Sequence, residues 1–470
     1  MASYDVIFLG GGPAGYVGAI RCAQLGLNTA VVEREALGGT CVIWGCIPAK
    51  SLLESAALAN HIKHAAEHGI TLGDVKLDFE PAMKRSRGIS TQNSKGVESL
   101  FKKYKVTWIR GTGSITGAKG VTVKNTEGKE EKHEATKALV ICTGSRVRGL
   151  PKAGLELNGS TVLSSDDVLV LEKAPKTMAV VGAGAVGCEF ADVFNAYGTK
   201  VTLLEVLPAI LPLEDADSSS AVQRAFRKRG IEVRTGAKIS NVKVAKSGVK
   251  MTVAMGDGSE KEELAVDAVL VAAGRAPNVE NIGLEAAGVK LTDRGFIQAD
   301  PVTYETSVKG IYAVGDVIGA PMLAHKGSRE GHILAERLAG QQPHALNYGN
   351  VPNATYCHPE VASIGLTEQA CKEQKIEYKV GKFPFMANGR ARTAGETDGF
   401  VKIIRDVKYG EILGAHIVGL HATELIHELV VARENELTVE EIELAIHAHP
   451  TLSEAVFEAA ADSMGRMIHA

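Results

Sequence analysis

A glycine-rich turn between an apolar strand and a helix occurs twice in this chain of 470 residues and constrains its fold more than any other feature. In the first copy an apolar run at 6–9 leads into three spaced glycines, and the next strand ends at an acid: Gly10, Gly12, Gly15 and Glu33. Such glycines suit a tight turn, close backbone approach to a pyrophosphate and helix–strand packing, while the acid accepts from a ribose hydroxyl. The pattern predicts a dinucleotide-binding α/β domain at the start of the chain.

The second copy starts from the apolar run at 178–181 and repeats the spacing of glycines and acid: Gly182, Gly184, Gly187 and Glu205. Two complete copies in one chain imply two dinucleotides. A carboxylate at the ribose position accepts from a 2′-hydroxyl and repels a 2′-phosphate, and the following Val206 and Leu207 offer no arginine. We therefore expect this domain to bind NAD rather than NADP.

Two cysteines, Cys41 and Cys46, lie five positions apart, between glycines and just before Pro48. In an undistorted helix their Cα atoms would be about 8–9 Å apart, whereas a disulfide needs about 4.4–6.8 Å. Either the pair bonds across a bent turn, which Gly45 can supply, or the thiols are buried and never meet. Because Pro48 suits the first turn of a helix, both sulfurs are expected at or just before a helix N-terminus, where the dipole stabilises thiolates.

Near the end of the chain, His449 precedes Pro450, and Glu454 follows five positions after the histidine. A residue before proline is held extended rather than helical. Thr451 and Glu454 have the spacing of a capping box. From these residues alone, Glu454 is a candidate cap for the last helix.

The composition, with 45% hydrophobic and 23% charged residues, is ordinary for a soluble globular protein. A net charge of −3 gives no electrostatic footprint for nucleic acid. No apolar run approaches about 20 residues, so we expect no membrane span, and the N-terminus lacks the basic region of a signal peptide. Seven scattered cysteines argue against a secreted disulfide framework. The expected location is the cytoplasm, or another reducing interior such as a mitochondrial matrix if the chain is a processed form.

Residues 38–50 match the redox motif of the flavin disulfide reductases: Gly-Gly-Thr-Cys, four residues, Cys, then Ile or Val, Pro, any residue and Lys. With the two glycine fingerprints and His449 in the same order, the whole chain resembles that pyridine nucleotide-disulfide oxidoreductase family, and its dihydrolipoamide dehydrogenase branch in particular. The chain departs from the branch between the cysteines, where it has Val42-Ile43-Trp44-Gly45 in place of the usual Leu-Asn-Val-Gly. Cys142 and Cys357 are further departures, from the usual alanine and threonine.

The resemblance implies an α/β fold with two Rossmann-like dinucleotide-binding domains, one for FAD and one for NAD, plus a C-terminal α+β interface domain. The FAD domain is expected at 1–150 and the NAD domain at 151–280. A central segment at 281–350 would complete the FAD site, and an interface or dimerisation domain would follow at 351–470. It also implies tightly but non-covalently bound FAD, NAD⁺/NADH and a homodimer. The expected partners are lipoyl domains of 2-oxo acid dehydrogenase complexes or the glycine-cleavage carrier protein, with neither nucleic acid nor a membrane among them.

The reaction implied by the resemblance is oxidation of a dihydrolipoyl dithiol, with electrons passing through a Cys41–Cys46 disulfide and FAD to NAD⁺. Cys41 would be the outer sulfur, which exchanges with substrate, and Cys46 the inner one beside the flavin. His449, which in the family comes from the other subunit, would be the acid–base residue. The residues carried over as catalytic are Cys41, Cys46, Lys50, Glu189, His449 and Glu454.

Glu454 would orient the histidine, and Lys50, near the reactive nitrogen of the flavin, would pair with Glu189. Further segments resemble the cofactor sites of the family, including the strand at 139–145 and the turn at 310–316, where Asp316 would bind the ribityl chain. The residues assigned to FAD are Gly10, Gly12, Gly15, Glu33, Gly39, Thr40, Lys50, Gly113, Thr143, Gly144, Ser145, Asp316, Met322, Leu323, Ala324 and His325. The residues assigned to NAD are Gly182, Gly184, Val186, Gly187, Glu205 and Gly274. No residue is assigned to a metal.

Three alternatives fit the chain less well. A glutathione reductase would have alanine at the third fingerprint position and arginines after the acid, where this chain has Gly187 and then Val206. A mercuric reductase would end in a cysteine pair, whereas this chain ends Ile468-His469-Ala470. A nucleotide-binding subunit without catalysis would have no need of the intact set of cysteines, histidine and glutamate.

Overall fold

The computed structural model describes residues 2–256 and 260–470. Contacts between residues group the chain into two compact units. The first unit comprises Met1–Ser51, Pro81–Arg148 and Gly274–Leu346, and the second comprises Leu52–Glu80, Gly149–Ala273 and Asn347–Ala470. The domain boundaries expected near 150, 280 and 350 stay a prediction.

The strands among the described residues are Ala2–Leu9 (β1), Thr29–Glu33 (β2), Thr107–Arg110 (β3), Thr112–Ile115 (β4), Gly120–Lys124 (β5), Glu130–Ile141 (β6), Ser145–Val147 (β7), Val162–Leu163 (β8), Thr177–Val181 (β9), Lys200–Leu204 (β10), Glu232–Arg234 (β11), Lys238–Ala245 (β12), Gly248–Met255 (β13), Glu260–Val266 (β14), Ala268–Val271 (β15), Arg275–Pro277 (β16), Ile311–Ala313 (β17), Asn353–Thr355 (β18), Glu360–Gly365 (β19), Tyr378–Pro384 (β20), Phe400–Asp406 (β21) and Ile412–Gly419 (β22).

The α-helices in the same part of the chain are Pro13–Gln24 (α1), Gly39–Ile43 (α2), Cys46–Lys63 (α3), Phe79–Tyr104 (α4), Ser165–Val168 (α5), Ala185–Ala196 (α6), Ala216–Lys228 (α7), Leu284–Ala287 (α8), Ala324–Leu338 (α9), Glu368–Glu373 (α10), Gly389–Ala394 (α11), Ala422–Glu434 (α12), Val439–Leu444 (α13) and Glu454–Ser463 (α14). Short 3₁₀ helices cover Ala65–His68, Pro151–Ala153, Gly315–Ile318, Tyr348–Asn350 and Phe385–Ala387.

The main sheet of the first unit has the strand order β3-β2-β1-β6-β5-β4, and β17 pairs with β6. The strands β3, β2, β1, β6 and β17 pair in parallel, whereas β5 pairs antiparallel with β6 and β4. Val6, Ile7 and Phe8 are completely buried, which confirms the predicted strand covered on both faces. The carboxyl ends of β1 and β2 place the first glycine turn and Glu33 at one edge of the sheet, where open α/β folds bind ligands.

The second unit carries the second glycine fingerprint on a parallel sheet of order β11-β10-β9-β15-β8. Three further strands form the antiparallel sheet β12-β13-β14. After residue 350, the antiparallel sheet β18-β19-β22-β21-β20 shares an apolar core with α12 and α14. This arrangement confirms the predicted second Rossmann-like fold and the C-terminal α+β domain.

One helix begins earlier than the sequence indicates. The sequence pattern predicts a helix at 90–104, whereas α4 begins at Phe79. Serine and glycine, frequent between 86 and 96, are weak helix formers and hide the true start of α4. The low helix propensity of these residues is offset by tertiary hydrogen bonds, which cannot be read from the local sequence.

The helical stretch Gly39–Lys63 contains an 18-residue window with a mean hydropathy of 1.3, so it passes a length-and-composition test for a membrane-crossing helix. The test admits up to two charged residues, and Lys50 and Glu54 lie in this stretch, so the expectation that no apolar run approaches about 20 residues is not contradicted. Core helices of globular proteins pass the same test, so the result is weak support for a span. The stretch contains both cysteines of the predicted redox pair and is interrupted at Trp44 and Gly45.

A buried lysine, Lys402 on β21, bonds to three carboxylates of the second unit. Its Nζ donates to Asp215 at 2.8 Å, Asp217 at 3.1 Å and Glu368 at 2.5 Å, and its side chain is 1% exposed. The carboxylates alone have a spacing that suits a metal ion, but the ammonium group already bonds to all three. Burial raises the pKa of Asp215, but the hydrogen bonds from Lys402 and the Glu368 N–H, together with nearby positive charge, outweigh it and hold that pKa below its ordinary range.

Replacing Lys402 by methionine is expected to destabilise the protein by about 3–5 kcal/mol, because Asp215 then stays buried without its counter-charge. The pKa of Asp215 is lowered in the folded state, so its contribution to stability is present above its unfolded pKa of about 3.9. That contribution is lost as the pH falls through the lower folded value, and the variant should lack this acid-dependent loss. Denaturant unfolding at neutral and acid pH measures both effects.

Lys382→Met is the matched control for this prediction. Lys382 donates to Asp217 at 2.8 Å, but its side chain is 40% exposed. An exposed ion pair contributes little, so this variant should lose less than about 1 kcal/mol. Equal destabilisation of the two variants would contradict the role given to Lys402.

Candidate active site

The first glycine fingerprint forms a closely packed turn with one open position. Gly10 has φ +115°, and a Cβ there would lie 2.3 Å from the carbonyl oxygen of Cys142. A Cβ on Gly15 would lie 2.0 Å from the Gly10 oxygen, so α1 packs directly on the turn. At Gly12, the N-cap of α1, the nearest atom to a Cβ would be the Cα of Gly39 at 3.9 Å. The helix N-terminus is therefore open to an anion such as a pyrophosphate.

The second fingerprint repeats this geometry. Gly182 has φ +101°, and a Cβ there would lie 2.6 Å from the Ala272 oxygen, while a Cβ on Gly187 would lie 1.9 Å from the Gly182 oxygen. Gly184 is the N-cap of α6, and a Cβ there would meet open space. Val186, which is 40% exposed, follows in the first turn of that helix. This turn, too, is open to a pyrophosphate at its middle glycine.

The two acids assigned to ribose are held in matching ways. Glu33 Oε2 accepts from the Gly11 N–H at 2.8 Å, and Glu205 Oε2 accepts from the Ala183 N–H at 2.7 Å, each across 22 positions of sequence. A carboxylate oxygen has more than one lone pair, so both acids can also accept from a ribose hydroxyl. With an open glycine and a fixed acid in each copy, both sites fit the adenosine diphosphate part of a dinucleotide.

The stretch that holds the two predicted redox cysteines adjoins the first fingerprint. Gly39 has φ +56°, and a Cβ there would lie 2.6 Å from the Cα of Gly12. The Gly38 N–H donates to the Gly11 oxygen at 2.8 Å, and Thr40 follows inside α2. The thiols and the pyrophosphate position therefore belong to one group of loops in the first unit.

The structure places the two cysteines on either side of a sharp bend. Cys46 is the first residue of α3, as predicted, whereas Cys41 lies inside the short helix α2. The chain turns at Trp44 and Gly45, where a Cβ on Gly45 would lie 3.0 Å from the Thr40 carbonyl oxygen. Glycine supports the bend by allowing this close approach.

The two thiols meet, which excludes the alternative that they are buried apart, and their disulfide stays a prediction. Cys41 hydrogen-bonds to Cys46, and both are free thiols in this structure. That hydrogen bond, burial and the charge of Cys46 raise the pKa of Cys41 well above its ordinary range, while the positive charge of Lys50 lowers it. In the dithiol these surroundings favour the protonated form of Cys41, and the expectation of a thiolate stabilised by the helix dipole stays a prediction.

Two serines of α4 hold the backbone on both sides of the bend, a contribution that the sequence analysis missed. Ser90 Oγ donates to the Val42 carbonyl at 2.7 Å, and Ser86 Oγ donates to the Pro48 carbonyl at 2.8 Å. Both hydroxyls are buried. Their spacing of four places them on one face of the helix, and that spacing is the signal the sequence contains.

Asp316, the residue expected to bind the ribityl chain, lies in the 3₁₀ helix Gly315–Ile318. Its Oδ2 accepts from Ser145 Oγ at 2.5 Å, and Arg275 Nε donates to the same serine oxygen at 2.6 Å. Asp316 and Ser145, two residues assigned to FAD from distant parts of the sequence, are therefore in direct contact. Arg275 joins them without having been predicted.

A buried ion pair beneath this turn was also missed. Lys326 and Glu330 lie one helical turn apart on α9, with fully buried side chains and 3.3 Å between their charged atoms. Lys326 Nζ donates to the carbonyls of Gly315 and Gly319 at 3.1 and 3.3 Å, and the Gly315 N–H donates to Glu330 at 2.7 Å. The pair fixes the turn that carries Asp316, and its signal in the sequence is the i,i+4 spacing.

The remaining residues assigned to FAD lie on β4, after β6 and at the start of α9. Thr143 Oγ1 donates to the Asn278 carbonyl at 2.7 Å, and a Cβ on Gly144 would meet open space. At Gly113 a Cβ would lie 2.8 Å from a Leu9 methyl carbon, so packing alone accounts for glycine there. Met322 and the N-cap residue Leu323 precede α9, and Ala324 and His325 are its first two residues. The contact of these residues with FAD stays a prediction.

Glu189 is buried in α6, and its Oε1 accepts from the Tyr356 N–H at 3.0 Å. Its pairing with Lys50 stays a prediction. Gly274, assigned to NAD, has φ +104°, and a Cβ there would meet open space. Its contact with NAD likewise stays a prediction.

His449 and Glu454 meet in the second unit. His449 Nδ1 lies 2.8 Å from Glu454 Oε1, and Glu454 Oε2 accepts from the Thr451 N–H at 2.8 Å. Glu454 is the first residue of α14, whose N-cap is Ser453, so the capping-box prediction is right for the bond back to Thr451 and wrong for the cap position. One carboxylate therefore orients the imidazole and satisfies a backbone N–H beside the helix start.

The imidazole of His449 is 80% exposed, while the Glu454 side chain is 27% exposed. Burial raises the pKa of Glu454, but the hydrogen bonds from Thr451 and His449 outweigh it and hold that pKa below its ordinary range. An ionised carboxylate at Nδ1 favours the tautomer in which Nε2 is the proton acceptor. The arrangement can serve as a general base.

Comparison with known proteins assigns this architecture. The family model of the pyridine nucleotide-disulphide oxidoreductases matches residues 4–331, and the model of their dimerisation domain matches residues 351–460. The chain belongs to this family. As a pyridine nucleotide-disulphide oxidoreductase it uses FAD and NAD(H), which agrees with the two dinucleotide sites and confirms both predicted cofactors.

Relatives of this oxidoreductase align with it over the full chain. The dihydrolipoyl dehydrogenase of Zymomonas mobilis is 45% identical, with 99% of each chain covered. That of Rhizobium etli is 44% identical, covering 100% of this chain and 99% of the relative. Among solved structures, LpdA of Mycobacterium tuberculosis superposes with a TM-score of 0.89 at 28% identity, covering 98% of this chain and 99% of that one. The likeness confirms the predicted family, fold and enzyme class and does not favour the glutathione reductase-like alternative.

Proposed function

We propose that this oxidoreductase oxidises dihydrolipoyl groups to lipoyl disulfides and reduces NAD⁺. The observation that carries the proposal is its likeness, at 41–45% identity over at least 99% of the chain, to proteins named dihydrolipoyl dehydrogenase. The hydrogen-bonded cysteines and the carboxylate-oriented imidazole are the groups that dithiol oxidation needs.

The proposed exchange moves two electrons and two protons. His449 Nε2 takes a proton from the substrate dithiol, and the resulting thiolate attacks Cys41 Sγ of the Cys41–Cys46 disulfide, so that Cys46 leaves as a thiolate. The second substrate thiol displaces Cys41 from the mixed disulfide, and the departing Cys41 sulfur takes up the proton of that thiol. The lipoyl ring closes, with Cys41 left as a thiol, Cys46 as a thiolate and the first proton on His449. The positive charge of Lys50 opposes the rise in the pKa of Cys41 and so helps its sulfur to leave. FAD supplies, when bound, the two-electron chemistry that links the cysteine pair to NAD⁺.

NAD⁺ is assigned to the second fingerprint because Glu205 is fixed where a 2′-phosphate would lie. Its carboxylate accepts from the backbone N–H groups of Ala183 and Leu207 at 2.7 and 2.9 Å. The next residues, Val206 and Leu207, are 65% and 46% exposed and carry no charge. A phosphate would meet the fixed negative charge of Glu205, and neither of the next two residues offers a cation to offset it.

The proposed active enzyme is a homodimer in which His449 of one copy serves the cysteine pair of the other. The match to the dimerisation domain supports the dimer. Apolar side chains near His449 in sequence are strongly exposed in the single chain, among them Leu444 at 78%, Ile446 at 100% and Ile468 at 78%. Such surface is typical of an interface.

A cavity of about 430 Å³ is lined by His449, Glu454 and apolar residues that include Leu444 and Ile446. A lipoyl arm is an apolar chain that ends in sulfur, so its chemistry suits these walls. Lipoyl domains of 2-oxo acid dehydrogenase complexes, or the glycine-cleavage carrier protein, are the proposed partners. The cytoplasm or another reducing interior is the proposed location, and a relative from Pisum sativum that is 41% identical is named mitochondrial.

The test compares two substrate pairs on the purified protein: dihydrolipoamide with NAD⁺, and oxidised glutathione with NADPH. We expect turnover with the first pair and a kcat/KM for NAD⁺ at least about tenfold above that for NADP⁺, a difference of about 1.4 kcal/mol. Equal or better use of NADP⁺ would overturn the assignment of Glu205. Faster reduction of glutathione would overturn the substrate.

A further inference from the structure

Trp44 lies between the two redox cysteines, at a position where the dihydrolipoamide dehydrogenase branch usually has valine. Its indole Nε1–H donates to Glu35 Oε2 at 3.1 Å. The guanidinium carbon of Arg87 lies 4.5 Å from the centroid of the indole ring, within the range of a cation–π contact. Arg87 Nη1 also donates to the carbonyl of Ile43 at 2.5 Å. The bend is thus held both by contacts of the Trp44 side chain and by a hydrogen bond to the backbone of Ile43.

Glu35 connects Trp44 to the first fingerprint. The Glu35 N–H donates to Glu33 Oε1 at 2.9 Å, and Glu33 Oε2 accepts from the Gly11 N–H at 2.8 Å. A continuous path of hydrogen bonds therefore runs from the glycine turn, through two glutamates, to the residue between the thiols. Arg87 supplies a second anchor, from α4, so the bend is fixed to two elements of the first unit.

We propose that Trp44 is a positioning residue that, with Glu35 and Arg87, holds Cys41 and Cys46 at the separation from which their disulfide closes. Holding two reacting groups in place raises their effective concentration toward each other and favours the bond between them. A valine at this position could make neither the hydrogen bond nor the cation–π contact. The inference rests on the redox role proposed for the two cysteines, but not on the identity of the substrate.

The test measures the dithiol–disulfide equilibrium of the holoenzyme in mixtures of reduced and oxidised dithiothreitol. Protein dithiol and oxidised dithiothreitol exchange to protein disulfide and reduced dithiothreitol, so each S–S bond formed is matched by one broken and no further oxidant is needed. Acid quenching, alkylation and mass spectrometry of the peptide that holds Cys41 and Cys46 give the oxidised fraction.

Trp44→Val is expected to lower the equilibrium constant for disulfide formation about three- to tenfold, the range of one hydrogen bond and one cation–π contact. Trp44→Phe keeps a ring against Arg87 but lacks the N–H, so it should recover part of the loss. Glu35→Ala changes an exposed residue, should shift the constant in the same direction, and decides the matter if Trp44→Val does not fold. An unchanged constant in a variant with normal flavin content overturns the proposal.

Trp108→Phe is the matched control. Trp108 Nε1 donates to the Glu33 carbonyl at 3.3 Å, and the Arg110 guanidinium carbon lies 4.0 Å from its ring centroid. Trp108 therefore makes the same kinds of contact as Trp44 but lies outside the cysteine stretch. The Trp108→Phe substitution should leave the dithiol–disulfide equilibrium unchanged. An equal shift in this variant would show general loosening and overturn the proposal. The wild-type enzyme could fail to oxidise dihydrolipoamide while Trp44→Val still shifts the dithiol–disulfide equilibrium. That result would contradict the proposed substrate and support the role of Trp44.

Discussion

Replacing Cys46 by serine is expected to abolish thiol-dependent turnover, and with it the long-wavelength absorbance that a thiolate against bound flavin gives after two-electron reduction. Replacing Cys41 by serine should also abolish turnover but leave that absorbance, because the inner sulfur remains. Cys46 is the first residue of α3, where the helix dipole stabilises a thiolate, whereas Cys41 lies inside α2. Steady-state assays and visible spectra of the two reduced variants test the assignment.

Cys371→Ser is the control for these variants, since Cys371 is a buried thiol on α10 in the second unit. It should keep both turnover and absorbance. If the absorbance disappears with Cys41→Ser and survives in Cys46→Ser, the inner and outer roles are reversed.

His449→Gln is expected to lower kcat by about 10²–10⁴-fold, the usual contribution of a general base. Glutamine can still hydrogen-bond to Glu454, but its side chain cannot take up a proton near neutral pH. The fold should be nearly unaffected, because the imidazole is 80% exposed. Turnover, melting temperature and flavin content are to be measured together.

Glu454→Gln should cost less in rate than His449→Gln. The carboxylate serves two partners at 2.8 Å, His449 and the Thr451 N–H, and an amide has a single oxygen to offer them. The variant is therefore expected to keep one of the two bonds and part of the activity.

His447→Gln is the control for the base, because the His447 ring is 8% exposed and its Nε2 lies 2.9 Å from Glu428. It should lower the melting temperature and keep the rate per bound flavin. If instead His449→Gln melts early, loses FAD and keeps its rate per flavin, the segment is structural and the base lies elsewhere.

The parts of the site that could be predicted from the sequence are those whose partners lie close along the chain. A single strand–helix–strand unit contains Gly10, Gly15 and Glu33. Their spacing in the sequence is enough to predict the geometry of the turn. Thr451 and Glu454 are three positions apart, and the bond between them was expected. In each case one short segment of sequence contains both the functional residue and the residue that positions it.

The parts that could not be predicted depend on partners that folding brings together. The hydroxyls of Ser86 and Ser90 reach carbonyls 38 and 48 positions earlier, and no local pattern states where a buried hydroxyl will find its acceptor. The high pKa of Cys41 has the same origin, because burial and the contact with Cys46 exist only after the bend has formed. Helix propensity likewise misses the start of α4, whose weak formers are stabilised from outside the helix.

Lys326 and Glu330 hold the turn at Gly315 from beneath, so the position of Asp316 is fixed by the fold itself. Ordering a residue of backbone costs about 1–2 kcal/mol of conformational entropy. If Asp316 binds the ribityl chain as expected, that cost falls on folding and not on the uptake of FAD, which leaves more of the interaction free energy to appear as affinity. A pair of charges in the interior would then help to set how tightly the enzyme retains its flavin.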